Sequence, residues 1–90
     1  MLKLEDLKQP AFVIFSSKNC PACTALLKIC EDVDFDITII NEENGAVLGP
    51  IFNIYTSPTA IIINNDQEIS RFYGVKKLEY INRFIEENIS

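Results

Sequence analysis

The chain has no histidine, three cysteines among its 90 residues, and no long apolar run. The missing imidazole excludes Ser-His-Asp and Cys-His catalysis and removes the commonest zinc ligand. Thiols are then the only strongly nucleophilic side chains poised near neutral pH. Three cysteines are too few, and of the wrong parity, for the disulfide framework of a small secreted protein. A reducing compartment with transient disulfides is the expectation. The longest apolar stretches, Ala11 to Phe15 and Ala60 to Ile63, fall far short of the ~20 residues of a membrane-spanning helix. Met1 to Gln9 mixes acidic, basic and apolar residues and does not read as a signal peptide. Cytoplasmic localisation is expected. Positive charge is scarce too, with 8 Lys and Arg against 13 Asp and Glu, a net charge of −5. The pair Lys76-Lys77 is too small a basic patch for nucleic acid or a membrane surface, so neither is an expected partner.

What the chain does have is a hydrophobic fraction of 48%, enough for a real core in one domain spanning 1–90. It also has Cys20-Pro21-Ala22-Cys23, two thiols two residues apart at the junction of an apolar run and a helical pattern.

Ala11 to Phe15 is apolar throughout and bounded by Pro10 and Ser16-Ser17, as in a strand covered on both faces. Before it, Leu2 to Lys8 suggests a short helix ended by Pro10. Pro21 marks a helix start, because its missing N–H would have no partner there; Cys20 is then the N-cap. Cys23, Leu26, Leu27 and Cys30 share one helical face, and the helix is expected to stop near Val33. Phe35 to Ile40 reads as a second strand, completing a parallel βαβ unit. Glu42 to Phe52 holds Gly45, Gly49 and Pro50 and predicts a short or irregular helix. Thr59 to Ile63 and Glu68 to Tyr73 read as strands joined by the polar turn Asn64 to Gln67. Lys76 to Asn88 carries Leu78, Ile81, Phe84, Ile85 and, just beyond, Ile89 in a helical stripe. The expected fold is α/β: a four-stranded mixed sheet between helical layers.

Thiol–disulfide exchange needs a thiolate, an accessible sulfur and a second thiol that resolves the mixed disulfide. As N-cap, Cys20 directs its sulfur toward the free N–H groups of the first helical turn, including that of Cys23. Those donors and the helix dipole favour the thiolate and lower its pKa from the usual ~8.5. Cys20 is therefore the expected nucleophile and Cys23, one turn on along the apolar stripe, the resolving thiol. A structural Cys-x-x-Cys or half a zinc site is the alternative. Zinc needs ~4 ligands and only Cys30 remains, so no metal is expected. Cys30 lies about 10 Å beyond Cys23 along the helix, too far for a disulfide. It reads as a small core residue, with a regulatory thiol or a target of glutathionylation as the alternative. Lys18, two residues before Cys20, is either a charge that lowers the thiolate pKa or attracts a carboxylate such as glutathione's, or a solvated surface lysine.

Phe12 to Cys23, with proline after the first cysteine, resembles the strand and active-site loop of glutaredoxins. Ser57-Pro58-Thr59, the polar hairpin, Tyr73-Gly74-Val75 and the amphipathic last helix resemble thioredoxin. The chain is thus similar to the thioredoxin superfamily over nearly its whole length. The resemblance implies a thioredoxin-like three-layer α/β/α fold and dithiol chemistry without a cofactor. It implies a cis Ser57–Pro58 bond that brings the Ser57 backbone beside the dithiol to pair with an extended substrate. Gly74 and Tyr55 are candidates for lining the substrate groove, Tyr55 equally for the core. Thioredoxins carry a buried aspartate behind the dithiol where this chain has Ile14, and a tryptophan where it has Asn19. The Gly-Gly-Asp-like segment with which glutaredoxins hold glutathione is missing after Tyr73. The expected activity is that of a monomeric thiol–disulfide oxidoreductase reducing protein disulfides, with a reductase or glutathione as electron donor. The alternatives are a glutathione-dependent glutaredoxin-type activity and a binding module in which the cysteines are incidental.

Overall fold

The computed structural model describes residues 1–89. After one 3₁₀ turn, Leu4–Asp6, the elements are β1 (Ala11–Phe15), α1 (Pro21–Cys30), β2 (Ile37–Ile40), α2 (Leu48–Ile51), β3 (Thr59–Asn64), β4 (Gln67–Tyr73) and α3 (Leu78–Ile89). The sheet order is β2-β1-β3-β4. β1 pairs with β2 in parallel and with β3 antiparallel, and β3 with β4 antiparallel. This is the four-stranded mixed sheet that the apolar pattern predicts.

β1 and β3 both have neighbours on either side; β1 also has helical layers on both faces, and all five of its residues are buried. Its side chains alternate between two cores. Ala11, Val13 and Phe15 join Ile61, Ile63, Ile40, Leu48 and Phe52 under α2 and the N-terminal segment. Phe12 and Ile14 join Leu26, Cys30, Ile62, Phe72, Ile81 and Phe84 under α1 and α3. The second core is rich in aromatics. Phe72 meets Phe84 edge-on at 5.0 Å and Tyr80 at 5.6 Å between ring centroids, and Phe12 lies 6.1 Å from Phe84. The β3–β4 turn holds Asn65 and Asp66 at φ 53° and 63°, the left-handed pair that suits a two-residue hairpin. Gln9 grips this turn from the far side, giving and receiving 2.7 Å bonds with Asp66.

Several boundaries differ from the sequence pattern. α3 starts at Leu78, not Lys76, and ends at Ile89, and the hairpin strands each gain one residue. Three further differences lie in the first half. Leu2 to Lys8 forms only the one 3₁₀ turn. So short a segment does not nucleate an α-helix alone, and Leu7 is anchored in the core instead. α1 ends at Cys30, not near Val33. Glu31 and Asp32 are acids at the negative end of the helix dipole, and the chain leaves through turns there. β2 begins at Ile37, two residues after Phe35.

Candidate active site

The registers of β1, β3 and β4, carried past the strand ends, build the site. Phe15 faces Thr59, so the next residues along place Ser17 across from Ser57. Thr59 faces Tyr73, so Gly74 falls opposite Pro58, and the Gly74 amide donates to the Pro58 carbonyl at 3.0 Å. The chain after β1 and the chain before β3 therefore converge at one end of the two central strands, where α1 begins.

Asn19 turns the chain into α1 with φ 54°, a left-handed conformation that Asn tolerates. Cys20 is extended and caps the helix, and Pro21 follows at its first turn. The Cys23 amide donates to Cys20 Sγ at 3.1 Å. Cys20 and Cys23 are joined in a disulfide, with Cα atoms 5.2 Å apart. Their environments differ: Cys23 is 3% exposed, whereas Cys20 is half-buried. The Ser57–Pro58 bond is cis. Cys20 Sγ lies 3.9 Å from the Ser57 carbonyl oxygen and 4.0 Å from its hydroxyl. The Ser57 hydroxyl lies 2.6 Å from that of Ser17. Pro58 is fully buried, and Gly74 at φ 73° occupies backbone space that favours glycine.

The five residues singled out from sequence, Cys20, Cys23, Ser57, Pro58 and Gly74, are thus linked by these contacts. Tyr55 is 89% exposed and is not a core residue. It borders an open groove of about 390 Å³ that runs from Ser17 and Ser57 toward Gly45 and Glu42. Lys18 turns to the loop after β2: its amide donates to Glu42 at 2.8 Å and its Nζ lies 3.8 Å from Glu43. Both side chains of the Lys18–Glu43 pair are exposed, so it contributes little. Cys30 is free and buried, and burial pushes its thiol pKa up. Among the described residues, no cluster of three or more His, Cys, Asp or Glu is placed to hold a metal, and no helix is long and apolar enough to cross a membrane. Ser17 is the residue the sequence pattern passed over. Its signal was the β1–β3 register, which a linear reading does not supply.

No protein-family profile and no curated protein sequence matches the chain. Solved structures do. Thioredoxin 1 from the thermophilic eubacterium Thermosipho africanus is 26% identical, with 86% of this chain and 91% of that one covered and a TM-score of 0.66. A single-residue mutant of thioredoxin from Halobacterium salinarum superimposes with a TM-score of 0.73 at 18% identity, over 89% of this chain and 74% of that one. Thioredoxin from Aeropyrum pernix gives 0.71 at 16% identity, over 96% and 83%. The chain therefore has the thioredoxin fold, and its Cys20–Cys23 disulfide fits the Cys-x-x-Cys motif of the thioredoxin superfamily.

Proposed function

We propose that this protein is a thiol–disulfide oxidoreductase whose Cys20/Cys23 dithiol reduces protein disulfides. The observation that carries the reading is the Cys23 amide aimed at Cys20 Sγ from the first turn of α1. A donor fixed there stabilises negative charge on that sulfur. In the reduced protein the Cys20 thiolate attacks a substrate disulfide, forming a mixed disulfide and releasing one substrate thiolate. The Cys23 thiolate then attacks Cys20 Sγ, closing the intramolecular disulfide and releasing the second substrate thiolate, which takes up a proton. Two electrons pass from the dithiol to the substrate. The Ser57 backbone, held beside Cys20, pairs with an extended substrate strand; Pro58 and Gly74 shape that edge.

The protein works as a monomer in a reducing, cytoplasmic setting, and a disulfide reductase restores the dithiol. A glutathione-dependent cycle is the competing route, and the chain lacks the Gly-Gly-Asp-like segment that would favour it.

Insulin reduction by the purified protein tests the reading. Cys20→Ser abolishes turnover, while Cys23→Ser accumulates a mixed disulfide through Cys20. Activity that survives Cys20→Ser overturns the proposal, and a wild-type protein that reduces no insulin overturns it too and leaves a binding module. Swapping glutathione for a reductase system identifies the donor. Pro58→Ala, measured in the same assay, slows reduction by raising KM for the protein substrate.

A further inference from the structure

Two donors face the Cys20 sulfur among the described residues. One is the Cys23 amide at 3.1 Å. The other is the Ser57 hydroxyl, whose oxygen stands 4.0 Å from Sγ. That hydroxyl also lies 2.6 Å from Ser17 Oγ, and both serines are partly buried. A contact this short between two hydroxyls needs one proton between the oxygens, and each serine carries one. When Ser57 donates to Ser17, it has no proton left for the sulfur. When Ser17 donates to Ser57, the Ser57 proton is free to point at Cys20.

We propose that Ser17 and Ser57 form a two-hydroxyl relay whose direction follows the charge on Cys20. With the sulfur a thiolate, Ser17 donates to Ser57 and Ser57 donates to the sulfur. With the sulfur in a disulfide, that order loses its advantage. No covalent bond changes and neither serine gives up its proton; the hydroxyls only rotate. A hydrogen bond to an ionised acceptor is roughly twice as strong as a neutral one, and successive bonds polarise one another. The relay therefore stabilises the reduced, ionised protein more than the oxidised one. Ser57 acts on the sulfur directly, and Ser17 is a positioning residue that acts through Ser57. The inference deepens the proposed function, since it takes Cys20 as the attacking thiolate.

Titration of the reduced protein, followed by thiolate absorbance, tests it. Ser57→Ala raises the Cys20 midpoint by about half a pH unit, a roughly threefold loss of thiolate below the midpoint. Ser17→Ala moves it in the same direction, and the double variant moves it no further than Ser57→Ala alone. Ser17→Thr, which keeps the hydroxyl, retains the wild-type midpoint. Ser17→Gly gives the alanine result without a methyl group in the loop. A midpoint indifferent to Ser17→Ala and Ser17→Gly overturns the relay, as does a double variant equal to the sum of the singles. Insulin reduction with a Ser17-independent midpoint sinks the relay alone. A Ser17-dependent midpoint without insulin reduction keeps the relay and removes the function.

Discussion

The three cysteines show how far neighbouring atoms, and not residue type, set chemistry. Cys20 meets amide and hydroxyl donors at a helix start. Cys30 sits in an apolar cluster with Leu26, Phe12 and Ile14 at 5% exposure. That burial raises its pKa by disfavouring the thiolate. The sign of the consequence follows. The native state keeps the Cys30 proton at a pH where the unfolded chain has already lost it. Cys30 therefore weakens nothing below the ordinary thiol range, and stability falls as pH rises through about 8.5 and beyond. Urea unfolding of the oxidised protein at neutral and alkaline pH will show a loss that Cys30→Ala reduces. An identical alkaline loss in both proteins would rule out the thiol as its source. The periodicity of α1 made the burial of Cys23 and Cys30 legible. The exposure of Tyr55 was not, because a lone aromatic in a loop has no periodic partner to assign it a face.

At the level of elements, β1 was the easiest to read, since an unbroken apolar run has few places to go except between two helical layers. Helix ends were harder. The start of α1 has proline and a capping residue to mark it. At its C-terminus Lys28 is soon followed by the acids Glu31 and Asp32, and these opposing signals do not dictate where the helix stops. Long-range ties between elements were invisible in sequence. Arg71 on β4 is held by the Glu68 carboxylate and donates to the Phe52 carbonyl at 2.6 Å, joining the edge strand to the turn after α2. The Glu68 carboxylate raises the guanidinium pKa further, so Arg71 stays charged throughout the working pH range. With both side chains more than two-thirds buried, Arg71→Ala is expected to cost about 1.5–3 kcal/mol in urea unfolding. In a cycle with Glu68→Ala, a coupling near zero would show that the contacts to the Phe52 carbonyl and Tyr73, not the ion pair, supply the effect. On α3, Phe84 seals the aromatic cluster at 7% exposure. Phe84→Ala should cost about 3–5 kcal/mol, and a loss under about 1 kcal/mol would mean that Phe12 and Phe72 collapse into the space.

Across the whole molecule, strand order and register place the dithiol, and both apolar faces of β1 must be covered for that placement to hold. A domain of this size has about 5–15 kcal/mol of net stability. Ile14 lies at that junction: fully buried on the α1 side of β1, in the cluster that includes Leu26, one turn past Cys23. In thioredoxins the matching position by sequence carries an aspartate, so Ile14 favours packing over a local base for Cys23. Ile14→Asp should exchange one for the other. Desolvation raises the new carboxyl's pKa above the ordinary ~3.9 in the folded protein. The charge penalty is then small below that value and grows as pH rises through the folded pKa, toward about 3–5 kcal/mol. Urea midpoints of variant and wild type should lie closer together near pH ~4 than near pH ~8. At neutral pH the folded variant should resolve its mixed disulfide faster, because the carboxylate accepts the Cys23 proton. A folded variant that shows the pH-dependent penalty yet resolves at the wild-type rate would mean that solvent or substrate already serves as the base. The apolar residue at position 14 would then support the fold without limiting the chemistry.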